Sequence, residues 1–346
     1  GSLTLRILLT GAAWFIGSHL LKTLLESVLA RFPFSHFSSI SDDFFVGFDN
    51  YSSYYSPELK RSRVNALGLE HTIREGNLCM ISENWNAVER FDVVVHLAAQ
   101  PGVRERLRDL FAYQKNNIAG FLNVLKYFRD NKVDHLIYAS SSSVYGLSDQ
   151  MPFTENDPCD CPVSFYGATK RANEMIAYSY SVCHGLPCTG LRFFTVYAPW
   201  GRPDMAYFGF ADQIMYGDPI SHYGEGELAR DFTFVDDIVR VILALIQKGP
   251  PRNDHKGVPH RIYNLGNDKP EKVITLVNLL EAHLGRSANK VYTDLPKGDV
   301  PHTWANIDKM KSDFGWSPKV CLAEGIKRFS DWYLGFRTEK YCQPNG

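Results

Sequence analysis

The sequence predicts an α/β chain built on a doubly wound parallel sheet, with a smaller, mixed C-terminal part. Three observations predict it. An apolar run near the start ends in a glycine turn that opens a helix-period segment. Short apolar runs then alternate with helical segments to about residue 190, and beyond Val196 that alternation stops. The chain has 346 residues, enough to bury a substantial core as one large or two modest domains. Lys and Arg number 37 against 38 Asp and Glu, a net charge of -1. No global field therefore advertises nucleic acid or a membrane surface, and a polyanionic ligand has to be met by locally placed arginines. The seven cysteines include one close pair, Cys159 and Cys161, with no second pair or His-x-His partner. Reduced thiols are the simpler reading, and no metal site is expected. No apolar run approaches the roughly 20 residues of a membrane span. Gly1 and Ser2 read as a cloning remnant, which leaves a native leader open; the chain is expected in the cytoplasm.

Leu5–Thr10 (LRILLT) reads as a strand, and the segment to about Leu29 has helical periodicity. Between them TGAAWFIG sets Gly11 and Gly17 at the outer positions of a G-x-x-G-x-x-G loop, which brings a pyrophosphate onto a helix N-terminus. The middle position holds Trp14. Glycine there lets the backbone approach a cofactor with no Cβ in the way. An indole crowds the pyrophosphate, or shifts the loop so that the ring points to solvent, or marks a chain that has lost activity; the intact residues downstream favour the first two. Residues 31–44 (RFPFSHFSSISDDF) read as a surface insertion. Phe45–Phe48 is the next strand, ending at Asp49. That carboxylate either accepts bonds from an adenosine ribose, preferring NAD over NADP, or simply forms a turn before Asn50. Val93–Ala99 (VVVHLAA) is a buried strand, and the QPGVR after it offers backbone amides and Arg104 to a nucleotide diphosphate. Asn117 opens a further helical segment, and His135–Ser140 is a strand that delivers Ser141, Ser142 and Ser143.

Tyr166 and Lys170 lie four apart in a segment that reads as helix from about Ser164, so both side chains leave one face. A free phenol has a pKa of about 10, and a neighbouring ammonium and hydroxyl donors lower it. Tyr166 then becomes a usable general base with Ser141 as the hydroxyl partner. Taken alone, Tyr-x-x-x-Lys is short enough to be a chance surface pair. Thr189–Val196 (TGLRFFTV) reads as another strand. It is followed by YAPWGRPDM, a helix near Ala206–Tyr216, a short strand and the turn GEGELARDFTFVDD. Arg202, Arg230 and Asp299 sit at loop positions. Arginine suits bidentate contacts to phosphate or carboxylate, although isolated loop arginines are more often solvated than ligating.

Across nearly the whole chain, the blocks LLTGAAWFIGSHL, HLAAQPGVR, YASSSSVYG, PVSFYGATKRANE, LRFFTVYAPWGRPDMA, RDFTFVDDI and GDVPHTWA resemble the extended short-chain dehydrogenase/reductase family. The resemblance is closest to its UDP-glucuronate 4-epimerase branch. It implies a Rossmann-type NAD-binding domain over residues 3–190 and a part over 191–340 that chiefly binds a UDP-sugar, with strands 191–196 and 261–265 returning to the main fold. It implies Ser141, Tyr166 and Lys170 as a catalytic triad. NAD would be lined by Gly11, Phe15, Ile16, Gly17, Asp49, Asn50, Asn77, Leu78, Leu97, Ala98, Ala99 and Asn117, with Tyr166 and Lys170. The sugar and UDP would meet Arg104, Ser142, Ser143, Thr195, Arg202, Arg230 and Asp299. This chain departs from the family at Trp14, at Asn77 where Asp is common, and at Ala198 where glycine is usual. The implied reaction is inversion at C4 of UDP-glucuronate to UDP-galacturonate through a 4-keto sugar. That ketone is a β-keto acid, and Ser142, Ser143, Thr195 and Arg202 are the candidates for holding its carboxylate against CO2 loss. Ser143 stands where related dehydratases carry an acid, and Thr195 where hexose epimerases carry Asn. Epimerisation of another UDP-sugar (hexose, pentose or N-acetylhexosamine) is the alternative. A catalytically impaired nucleotide-sugar-binding scaffold, suggested by Trp14, is the alternative of another class. The resemblance also implies a homodimer through helices near 104–128 and 164–183, whose apolar stripes otherwise read as core packing.

Overall fold

The computed structural model describes residues 5–31, 45–80, 90–102, 110–223, 227–254, 256–295 and 300–342. The expected insertion after Arg31, Arg104 and Asp299 lie outside the described residues. The chain forms two compact units: Gly1–Ser148, Glu155–Phe193 and Val239–Asn264 make the first, and Asp149–Thr154, Phe194–Ile238 and Leu265–Gly346 the second.

The first unit carries a seven-stranded sheet in the order β10-β6-β5-β4-β1-β2-β3. Its strands are β1 (Ile7–Thr10), β2 (Phe45–Asp49), β3 (Ile73–Glu75), β4 (Val93–His96), β5 (His135–Ser141), β6 (Cys188–Phe193) and β10 (His260–Leu265). The pairings β1–β2, β1–β4, β2–β3, β4–β5 and β5–β6 are all parallel. Every residue of β1, β2 and β4 is buried, which is why these strands read as continuous apolar runs: both sheet faces are covered. Because β1 has β2 on one side and β4 on the other, the strand order reverses at β1. In such sheets the crevice outside the carboxyl ends of the strands at that point is where ligands bind.

The covering helices start and stop where local chemistry dictates. α1 (Phe15–Arg31) follows the glycine turn. α2 (Pro57–Ala66) begins with proline at its first position and with Ser56 Oγ accepting from Leu59 N at 3.2 Å. α3 (Leu110–Tyr113) and α4 (Gly120–Asp130) are joined by a π-helical turn, Gln114–Ala119. Asn117 therefore lies inside this helical run and does not open it. α5 (Phe165–His184) starts at Ser164, whose Oγ accepts from Gly167 N at 3.0 Å, and stops at Gly185 in the left-handed region. The core on this side gathers Leu8, Val94, Phe121, Leu125, Phe128, Leu136 and Tyr138.

In the second unit, β7 (Thr195–Tyr197), β9 (Ala229–Phe234) and β11 (Pro270–Lys272) form a three-stranded sheet in the order β11-β9-β7, and β8 (Pro219–Tyr223) pairs with β12 (Asn289–Thr293). The pairing of β11 with β9 is antiparallel and that of β7 with β9 parallel, so the sheet is mixed. The helices here are α6 (Ala206–Tyr216), α8 (Val273–Leu284), α9 (Asp308–Phe314) and α10 (Leu322–Cys342), while α7 (Val235–Lys248) starts in this unit and ends in the first. The single strand expected over Thr189–Val196 is two strands. β6 loses β5 as a neighbour at Phe193 opposite Ser141, where the chain after β5 turns into the 3-10 segment Ser142–Tyr145; β7 then begins opposite Phe232 of β9. Among the described residues no helix is long and apolar enough to cross a membrane, and no cluster of His, Cys, Asp and Glu could hold a metal.

Candidate active site

The site grows from the turn after β1. Gly11 has φ +73°, and a Cβ there would sit 2.8 Å from Ala98 N. At Gly17 a Cβ would sit 2.1 Å from Gly11 O. Both outer glycines are therefore imposed by backbone against backbone, the close crossing that a phosphate-binding turn needs. Trp14 keeps the turn closed: its N–H donates to Gly11 O at 3.2 Å and its carbonyl accepts from Ser18 N at 2.7 Å. The indole is half-buried and meets the Tyr55 ring edge-on, with centroids 6.2 Å apart, so it neither points freely into solvent nor breaks the loop.

Asp49, at the end of β2, is buried and accepts from Ala13 N at 3.0 Å and Tyr51 N at 2.8 Å. Burial raises its pKa, against the pull of those two N–H groups and of the Lys60 and Arg63 charges. The carboxylate thus organises the turn and also lines a cleft at the ends of β1, β2, β3 and β4. Of the residues expected at a cofactor, Asp49, Asn50, Asn77, Leu78, Ala98 and Ala99 line this cleft, and so does Trp14. Ser52, Gly76, Gln100 and Asn116 line it too and were not expected. Ser52, Gly76 and Gln100 follow closely on strand ends, which is the signal that would have found them. Phe15 and Leu97 are buried. Asn117 is fully engaged elsewhere: its Oδ1 accepts from Gln100 N at 2.7 Å, and its Nδ2 donates to Gln100 O at 3.0 Å and Thr169 Oγ1 at 3.1 Å. It ties the segment after β4 to α5.

Ser141 ends β5; its Oγ donates to Ser143 Oγ at 3.0 Å and accepts from Ser143 N at 3.2 Å. Tyr166 lies half-buried in the first turn of α5, and Lys170 is buried one turn on. The Lys170 ammonium donates to Ala139 O at 3.0 Å and stands 5.7 Å from the centre of the Tyr166 ring. Burial pushes the Lys170 pKa down to about 8. Burial, with the Lys170 charge adding to it, pushes that of His96 down to about 3. His96 is thus neutral, bonded through Nδ1 to Thr10 Oγ1 at 2.7 Å and stacked on Phe121. No second cation competes with Lys170 from that strand.

α5 is fixed to the sheet by a buried network. Arg192 on β6 donates to both Glu174 oxygens, at 2.8 and 2.9 Å, and to Tyr145 OH at 2.9 Å. Ser140 Oγ donates to Glu174 Oε1 at 2.7 Å, and Tyr145 OH to Asn264 Oδ1 at 2.6 Å. The sequence reading missed these residues.

In the second unit, Thr195 opens β7 and Ala198 is buried just beyond it. Arg202 pairs with Asp204 through Nε at 2.9 Å and Nη2 at 2.5 Å, and Arg230 Nη1 donates to Pro301 O at 2.9 Å. Both guanidiniums are thus held in place by their own unit.

A turn that excludes Cβ atoms, an acid at the end of β2 and a cleft at the strand-order reversal fit a dinucleotide. Comparisons agree with that geometry. Residues 7–266 match the NAD dependent epimerase/dehydratase family. UDP-glucuronate 4-epimerase 1 of Arabidopsis thaliana is 42% identical over 344 residues, covering 95% of this chain and 77% of that protein. Protein CapI of Staphylococcus aureus is 41% identical over 349 residues, covering 96% and 99%. The crystal structure of UDP-glucuronic acid 4-epimerase from Bacillus cereus in complex with UDP-glucuronic acid and NAD superposes with a TM-score of 0.78 at 30% identity, covering 96% of this chain and 99% of that one.

Proposed function

The chain belongs to the NAD dependent epimerase/dehydratase family, and on that premise we propose that it is an isomerase that inverts C4 of UDP-glucuronate to give UDP-galacturonate, with NAD as its cofactor. The cofactor supplies a reversible hydride acceptor, so the redox change is internal and no NADH accumulates. The residues that would hold it are the Gly11–Gly17 turn, Asp49, Asn77 and Lys170. Tyr166 takes the proton of the 4-hydroxyl and returns it, acting as base and then acid. Lys170 favours the phenolate through its charge, and Ser141 offers a hydroxyl between the phenol and the sugar oxygen. A ketone at C4 leaves the sugar carboxylate β to a carbonyl and prone to losing CO2. Ser142 and Ser143 are assigned to hold that carboxylate localised, which disfavours the charge dispersal of decarboxylation. Thr195, Arg202 and Arg230 are assigned to the UDP-sugar.

The observation that carries this reading is the seat of Lys170, buried against Ala139 O and 5.7 Å from the Tyr166 ring. An intact glycine turn around Trp14 supports a working cofactor site over a binding scaffold. Phe111, Leu122, Met175 and Val182 leave apolar surface exposed on α3, α4 and α5, which supports a homodimer through these helices. The free thiols of Cys79, Cys159, Cys161, Cys183, Cys188 and Cys321 support a reducing, cytoplasmic setting. The test is to denature the purified protein, measure released NAD, and follow UDP-glucuronate by product chromatography. UDP-galacturonate appearing without NADH supports the proposal; no exchange between the two sugars with NAD bound rejects it.

A further inference from the structure

Trp14 occupies a definite place beside the cleft. Its ring meets Tyr55 edge-on, and Lys60 Nζ stands 5.7 Å from the indole centre and 4.4 Å from that of Tyr55. Lys60 is itself held on Ser52, by the carbonyl at 2.6 Å and the hydroxyl at 3.1 Å. Arg63 Nη1 bonds Ala13 O at 2.6 Å and Tyr55 OH at 2.9 Å. The indole therefore bridges the glycine turn and the loop after β2, and Trp14, Asp49 and Ser52 line one cleft.

This is the corner of such a sheet that decides between dinucleotides. The acid ending β2 meets the ribose 2′-hydroxyl, and where a 2′-phosphate is accepted a nearby arginine receives it. Here two buried cations do lie in that corner, Lys60 and Arg63, yet both are engaged by protein oxygens and lie against the rings of Trp14 and Tyr55. Burial pushes the Asp49 carboxyl above its ordinary range, so a steric barrier adds an exclusion that does not depend on its charge.

We propose that Trp14 is a specificity-determining residue: its indole fills the space a 2′-phosphate would need and restricts the cleft to dinucleotides with a free 2′-hydroxyl. This rests on the cofactor reading above. It assigns the residue that departs from the glycine pattern a role in choosing the cofactor.

The test is titration calorimetry of NAD+ and NADP+ into the nucleotide-stripped full chain, with wild type, Trp14→Gly, Trp14→Ser and Trp14→Phe. In Trp14→Gly the ratio of the NADP+ to the NAD+ dissociation constant is expected to fall at least about tenfold, through tighter NADP+ binding. Trp14→Phe keeps a ring against Tyr55 and should hold the ratio within about threefold of wild type. Melting curves report folding, and Trp14→Ser supplies the same readout if the glycine variant does not fold. An unchanged ratio, or a loss of NAD+ affinity with NADP+ unmoved, overturns the inference and leaves the cofactor reading standing. Binding of neither dinucleotide by the wild type overturns both.

Discussion

Replacing Arg192 with methionine keeps most of the side-chain volume and removes the charge that holds Glu174 inside the first unit. The two side chains are 2% and 1% exposed, so the carboxylate left behind has no access to water. It keeps Ser140 at 2.7 Å and Arg171, itself partly exposed, at 3.0 Å, and loses both Arg192 bonds. Removing one partner of a buried pair costs about 3–5 kcal/mol. The surviving Arg171 contact puts this case at the lower end, about 3 kcal/mol. The pH dependence carries the diagnosis. Burial alone would raise the Glu174 pKa; in the native chain the Arg192 bonds and charge, with Ser140 and Arg171, outweigh it and hold the group below the ordinary range. That stability is present above the unfolded carboxyl pKa and is lost as pH falls through the folded one. In Arg192→Met burial prevails, the carboxyl is pushed up, and protonation relieves the penalty as pH falls. Urea unfolding should therefore show a larger loss at pH 8 than at pH 5, and Glu174→Gln added to Arg192→Met should recover much of it. A loss under about 1 kcal/mol, or one equal at both pH values, would refute the view that an orphaned carboxylate is what the variant suffers.

Tyr166→Phe should lower turnover by about 10²–10⁴-fold with little change in UDP-sugar affinity, read by chromatographic turnover and by calorimetry. Because burial pushes the Lys170 pKa down to about 8, its ammonium is present below that pH and lost above it. kcat/KM should fall as pH rises through that region, and Lys170→Met should abolish the dependence together with most of the activity. Gly17→Ala drives a Cβ to 2.1 Å from Gly11 O, and should lower the melting temperature and the NAD content of the purified protein; a normal cofactor load would contradict the tight crossing.

What the sequence disclosed is what local chemistry decides. β1 and its turn were legible because three buried apolar residues and a buried threonine run straight into a glycine that needs φ +73°. The start of α5 was legible because Ser164 is a side-chain cap, and the Tyr166 and Lys170 spacing follows from that start. The break of the Thr189–Val196 run was not legible: an apolar run carries no mark of which strand it pairs with, and the partner changes from β5 to β9 within two residues. Asn117 was read as opening a helix because a π turn adds residues without erasing the apolar period around it. Glu174 and Arg192 were passed over because a glutamate in a helix and an arginine in a strand, 18 residues apart, each look solvated until the fold buries them together.

Trp14 separates two kinds of glycine that a motif writes with one letter. At Gly11 and Gly17 an added Cβ meets backbone atoms at 2.8 and 2.1 Å, which no side-chain adjustment relieves. Trp14 has no such backbone demand. Its φ lies outside the left-handed region, its own N–H and carbonyl complete the turn, and its side chain leaves toward Tyr55 and Lys60. The outer glycines let the chain cross itself, whereas the middle one clears space for the ligand. A bulky residue is therefore tolerated at the middle position when the loop after β2 offers its ring a seat. Tyr55, held by Arg63, and Lys60, held by Ser52, provide that seat here. It follows that Trp14 and the Ser52–Tyr55 loop act as one unit, so that Tyr55→Ala should release the indole and change dinucleotide choice in the same direction as Trp14→Gly.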